Sequence, residues 1–176
     1  MDSLDKNRIF REWVNQYYEY GFRVAFKIIG NEEDCRDIVQ DAFLKVWIRY
    51  DSYDVKVKFT TWFFTIVTNL CYDRLRKNKT AANYADSIAI KSNNITESPE
   101  KDINEMDVRR TLNKLSENLS PKQKIVFVLR DLEEMEIDEV CVIAKMDPEQ
   151  VKANLCHARK AIRKSLTALK LLEERI

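Results

Sequence analysis

Apolar side chains recur at steps of three and four through most of this chain, the spacing of helices that bury one face. Phe10, Trp13, Val14, Tyr17, Gly21, Val24, Ala25 and Ile28 trace a first helix with an aromatic-rich stripe. The stretch "GNEEDC" interrupts it and places acids at the start of a second helix, where the helix dipole favours them. That second helix carries Cys35, Ile38, Val39, Ala42, Phe43 and Val46. After "DSYDVKVK" a third begins, with Phe59, Phe63, Ile66 and Leu70 on its inward stripe.

The periodicity fades between Asn78 and Met106, where Asn, Ser, Thr and Pro99 cluster and acids outnumber bases, as expected of a linker. It returns with Val108, Leu112, Leu115 and Leu119. "SPKQ" (Ser120 to Gln123) and "DPEQ" (Asp147 to Gln150) then repeat one device: a capping side chain, proline at the first helical position, and glutamine three residues after the cap. Each predicts a helix start. Between them "IDEVCVIA" forms a short helix, separated from the last one by a tight turn, so a helix-turn-helix is expected. The fold class is all-α: two small helical domains, residues 1–80 and 106–176, joined by a flexible linker over 81–105.

On the last helix Val151, Leu155, Ala158, Ile162 and Leu169 form the inward stripe. The opposite face carries Gln150, Ala153, Asn154, His157, Lys160 and Lys164, and Lys152, Arg159 and Arg163 share a flank. After Glu149 no acid appears until Glu173. Base-reading candidates near the helix start are thus separated from cations suited to phosphates.

Composition narrows the reading further. The chain of 176 residues is 45% apolar with two glycines, which fits a helical globular protein. Cys35, Cys71, Cys141 and Cys156 lie far apart without a C-x-x-C pair, so reduced thiols in a cytoplasmic protein are expected, without a zinc site. No apolar run approaches a membrane span and the start lacks a signal-peptide core. Net charge is +1 and by itself selects no partner. No nucleophile–base pair, phosphate-binding glycine loop or metal-ligand spacing points to an enzyme, a metal or a cofactor. A metal-dependent nuclease would need further carboxylates converging on Asp34, Asp37 or Asp41.

Together "DCRDIVQDAFLKVW", "FTTWFFTIVTNLCYDRLRK" and "LSPKQKIVFVLRDLEEMEIDEVCVIAKMDPEQVKANLCHARKAIRKSL" resemble the sigma-70 family of bacterial transcription initiation factors. The small size is similar to its extracytoplasmic-function (ECF) class. The resemblance implies a non-enzymatic subunit that binds core RNA polymerase through the β′ clamp helices and β flap, directs it to promoter DNA, and promotes melting. It further implies regulation by an anti-sigma factor, often membrane-bound in the family. Under this resemblance Asp34, Asp37, Gln40, Asp41 and Leu44 fall in the polymerase-binding block. The minus-ten segment comprises the specificity loop, with Tyr53, Lys56 and Lys58, and the residues Thr61, Phe64, Thr65, Thr68, Asn69, Tyr72, Arg74, Arg76 and Lys77; Asn69 matches an asparagine associated with a flipped base. The minus-thirty-five element falls to Gln150, Lys152, Ala153, Asn154, His157, Arg159, Lys160 and Arg163.

Two departures stand out. The turn before the last helix carries Lys145 where the family ordinarily has glycine, and Asn154 and His157 stand where many relatives place arginines. Asparagine favours adenine and arginine guanine, so a different preferred sequence is expected. The alternative reading is a helix-turn-helix regulator that never joins polymerase.

Overall fold

The computed structural model describes residues 3–86 and 118–173. Every regular element among them is helical. The expected helix through Val108, Leu112 and Leu115, and most of the expected linker, lie outside the described residues; the linker's first positions, 81–86, instead continue a helix.

The first unit is built from α1 (Ser3–Ile29), α2 (Glu32–Ile48) and α3 (Phe59–Asp86). Gly30, at φ 80°, ends α1, and Asn31 starts α2 by accepting a 2.9 Å hydrogen bond from the Asp34 N–H. Gly21 sits where α1 meets α3: a Cβ there would lie 2.9 Å from a ring carbon of Phe63, so only glycine allows this approach. The predicted stripe of α2 is buried throughout. A ladder of aromatic rings joins the three helices. Trp13 stacks on Phe59 with centroids 4.1 Å apart, and Phe59 and Phe43 both meet Phe63.

The second unit begins at Ser120, whose capping box with Gln123 starts α4 (Pro121–Phe127). A wide π turn over Val128–Leu132 follows, then α5 (Ile137–Ala144) and α6 (Pro148–Glu173). Lys145 takes the left-handed conformation (φ 53°, ψ 51°) at the C-cap of α5, as its place in the turn requires. Val126, Leu129, Val140, Ile143, Val151 and Ala158 are fully buried in this unit, while Ile162 is only half-buried.

The two units share one apolar core. Here the structure departs from the sequence pattern. Phe59, Phe63 and Ile66 are buried as expected, Leu70 is half-buried, and Phe64, Val67, Thr68 and Cys71 are buried as well. Helix α3 is covered on both sides because α4 and α5 pack against it.

Candidate nucleic-acid interface

The start of α6 presents the first candidate surface. Asp147 and Gln150 form a reciprocal cap: the Gln150 N–H donates to Asp147 Oδ1 (2.8 Å) and the Asp147 N–H to Gln150 Oε1 (3.3 Å). Gln150 therefore spends its carbonyl oxygen on the helix start. One turn on, Asn154 Nδ2 donates to the Gln150 carbonyl at 2.8 Å, whereas Ala153 and His157 are exposed. Lys152, Lys160 and Arg163 are exposed too. Arg159 grips Asp131 of the π turn with two hydrogen bonds of 2.8 and 2.7 Å, and that bond raises its pKa. These cations and Arg130 rim a cavity of about 670 Å³ whose floor is Ile137, Leu155 and Cys156.

The second candidate surface, on α3, has a different environment. Thr61, Phe64 and Thr68 are buried, and Thr65 and Tyr72 half-buried. Phe64 packs edge-on against Tyr20 at 4.7 Å, the neighbour-helix packing available to any aromatic on this face. The Thr65 and Thr68 hydroxyls donate to the carbonyls of Thr61 and Phe64, and Thr61 donates to Glu139 of α5 at 2.9 Å. Asn69, Arg76 and Lys77 remain exposed. Arg74 does not point outward with them; it pairs with Asp34 at the start of α2, so residues expected to serve different partners bind each other. In the preceding loop, Tyr53 stacks on Trp62 (4.8 Å) and donates to the Val57 carbonyl, while Lys56 and Lys58 are exposed.

A third surface lies on α2, where Asp37, Gln40, Asp41 and Leu44 are exposed along one face. Leu44 is 59% exposed, and Ile48, one turn further, 75%. Ile48 was missed in the sequence, although an apolar residue off the buried stripe was the available signal. Also missed were Tyr20, Lys27, Glu133 and Glu139, which meet between the units. Their only sequence trace is the acid-rich run from Asp131 to Glu139.

No grouping of three or more metal-ligating side chains occurs among the described residues. Burial, with Asp34 nearby, pushes the Cys35 thiol up to about 12, and burial likewise raises Cys71. Neither offers a thiolate near neutral pH. No described helix is long and apolar enough to cross a membrane.

Comparison with known proteins fits this layout. Residues 13–81 match the family model of sigma-70 region 2, and residues 106–162 that of sigma-70 region 4. The chain is 28% identical to the ECF RNA polymerase sigma factor SigW of Bacillus subtilis, over 91% of this chain and 90% of that one. It is 25% identical to the ECF sigma-E factor of Escherichia coli K12, over 73% of this chain and 72% of the relative. Among solved structures, a sigma factor RpoE bound to the anti-sigma factor NepR from Bartonella quintana has the same fold (TM-score 0.69, 21% identity, covering 91% of this chain and 98% of that one). So does CnrH in complex with the cytosolic domain of CnrY (TM-score 0.67, 20% identity, covering 92% and 90%). With region 2 matched on α1 to α3 and region 4 on the helix-turn-helix, in that order along one short chain, this protein belongs to the sigma-70 family, in its ECF group.

Proposed function

We propose that this chain is a transcription initiation factor: a binding subunit, not a catalyst, that joins core RNA polymerase and brings it to particular promoters. The observation that carries the reading is the joint match of regions 2 and 4; the exposed α2 face, where the family resemblance expects the polymerase contact, supports it. We assign residues 1–80 to the polymerase and minus-ten unit, 81–105 to the linker and 106–176 to the minus-thirty-five unit.

Asp37, Gln40 and Asp41 supply acids and an amide to basic side chains on the β′ clamp, and Leu44 and Ile48 supply apolar area beside them. Asp34, held by Arg74, orients the start of the helix. On α6, His157 and Asn154 face base edges, and Lys152, Lys160 and Arg163 neutralise phosphates. On α3, Asn69 and Tyr72 take an unstacked base, with Arg76 and Lys77 on its backbone. Melting then draws on the binding of displaced bases, which requires no covalent step. The structural relatives were captured with NepR and CnrY, which supports an anti-sigma partner for this chain as well.

The test is transcription from a cognate promoter by core polymerase with and without this protein, beside a pull-down of core. Gln40→Ala with Asp41→Ala is expected to weaken core binding at least tenfold while leaving the fold intact by circular dichroism. A wild-type chain that does not bind core overturns the reading and leaves a free-standing helix-turn-helix regulator.

A further inference from the structure

Beside the middle of α3 lies a cavity of about 260 Å³ to which both units contribute. Asn69 and Tyr72 line it from α3, Lys122 and Ile125 from α4, and Lys145 and Met146 from the turn before α6. Its floor is apolar, for Ile125 is buried and Met146 half-buried. Its rim is polar: Asn69, Lys122 and Lys145 are exposed and Tyr72 is half-buried. The two lysines stand on fixed backbone, Lys122 in the first turn of a helix started by the Ser120–Gln123 capping box and Lys145 on the left-handed C-cap of α5. No carboxylate is among the described lining residues. Among the described residues no side chain hydrogen-bonds the Asn69 amide, the Tyr72 hydroxyl or either ammonium, so all four are available to an occupant.

Such a lining selects its ligand by class. Two ammoniums without a lining carboxylate favour a phosphate group, through charge-assisted hydrogen bonds. A side-chain amide donates and accepts at once, and that pairing matches the donor and acceptor on one edge of adenine. The Tyr72 ring and the adaptable Met146 thioether give a planar base apolar surface to lie against. The volume is near the lower end of the roughly 300–1,000 Å³ of small-molecule sites, which suits one nucleotide and not a dinucleotide. The larger cavity on α6 lacks this mixture: Arg130, Lys152, Arg159, Lys160 and Arg163 surround an apolar floor with neither an amide nor an aromatic ring, a lining for a phosphate backbone alone.

We infer that this cavity is a binding site for a free adenine mononucleotide, with the base against Asn69 and Tyr72 and the phosphate between Lys122 and Lys145. The inference goes beyond the sigma-factor reading and does not rest on it, since the lining residues and their chemistry need neither polymerase nor promoter. Because α3 supplies the groups for the base and the second unit those for the phosphate, the nucleotide binds the chain only while the two are packed together, and by mass action it stabilises that arrangement. A bound nucleotide also occupies the amide and ring that would take an unstacked base of DNA.

The experiment is calorimetric titration of the full chain with AMP, GMP, adenosine and inorganic phosphate. AMP is expected to bind about tenfold or more tighter than each of the other three, because each lacks either the adenine edge or the phosphate. Lys122→Gln combined with Lys145→Asn, a residue that tolerates the left-handed turn, is expected to lower AMP affinity to that of adenosine. Asn69→Ala is expected to abolish the preference for AMP over GMP. A control of equal charge change on the exposed face of α6, Lys160→Gln with Lys164→Gln, should leave AMP affinity within about twofold. Saturating AMP should raise the Tm of the wild-type chain and leave that of the lysine variant, folded by circular dichroism, where it was. Absence of AMP binding overturns the inference, as does phosphate binding as tightly as AMP. Equal losses in the cavity variant and the control reduce the effect to net charge, and AMP affinity unchanged in the cavity variants puts the nucleotide elsewhere; either result overturns it too. None of these readouts involves polymerase, so their failure leaves the sigma-factor reading standing.

Discussion

Helices α6 and α3 both carry residues suited to nucleic acid, yet one keeps its polar face in water and the other has Thr61, Phe64 and Thr68 buried, with only Asn69, Arg76 and Lys77 left exposed. The difference lies in what each face is made of. Covering Lys152, Lys160 and Arg163 would strip water from several cations at once, a cost of several kcal/mol per ion unless each meets a partner. On α3 the corresponding groups are an aromatic ring and hydroxyls that hydrogen-bond their own helix, so they can be covered cheaply. Arg159 marks the border between the two regimes: it is a cation of α6 that already has a carboxylate, Asp131, from its own unit. A face of rings and hydroxyls is therefore easier to cover within the same chain than one of unpaired cations.

The largest expected effect comes from the aromatic core on which α3 rests. Phe63 is fully buried, and Phe63→Ala should cost about 3–5 kcal/mol. Chemical denaturation should then show loss of both α3 and its cover, so survival of a fully stable α6 unit would show that the two faces are energetically separate.

Next comes base reading on the open face. Asn154→Ala should relax preference at one base pair by about 1–3 kcal/mol, read from duplexes permuted at each minus-thirty-five position. Uniform loss across all duplexes would instead place Asn154 in holding the helix start through Gln150.

A smaller effect is expected in the turn that aims α6. Lys145→Gly removes the side chain from a left-handed position and should raise stability by about 0.5–1 kcal/mol, seen as a higher Tm. A fall in Tm would mean that the lysine side chain holds the turn.

The smallest change sharpens the phosphate side of the comparison. Asp131→Asn frees Arg159, an exposed pair of about 0.2–1 kcal/mol, and should steepen the salt dependence of duplex binding by about 0.9 in log–log slope. An unaltered slope would show that Arg159 reaches phosphate with Asp131 in place.

Much of the helical layout was legible because its causes are local. The acids of "GNEEDC", the Ser120 and Asp147 caps and the stripes on α2 and α6 act within one or two turns of chain, and the structure starts helices there and buries the α2 stripe and Val151, Leu155 and Ala158 of α6, while Ile162 is half-buried and the side chain of Leu169 lies outside what is described. Phe64, Val67 and Cys71 could not be assigned in the same way. Their burial depends on α1, α4 and α5, which are distant in sequence, and a helix with apolar residues on two sides does not state which neighbours it will meet. The candidate sites divide along the same line. The exposed face at Asp37, Gln40 and Asp41 follows from α2 having one buried stripe, whereas the pairing of Asp34 with Arg74 spans forty residues and follows from packing alone.

By itself, then, the sequence determined which segments are helical, where they start, which residues line the inner stripe of α6, and that its other faces are cationic, because capping and periodicity are properties of neighbouring residues. The tertiary structure decided that α3 is covered on both sides, that Glu139 meets Thr61 on it, and that Glu133 pairs with Lys27 of α1. Those outcomes depend on which surfaces meet when two units share one core, and no local rule contains that information.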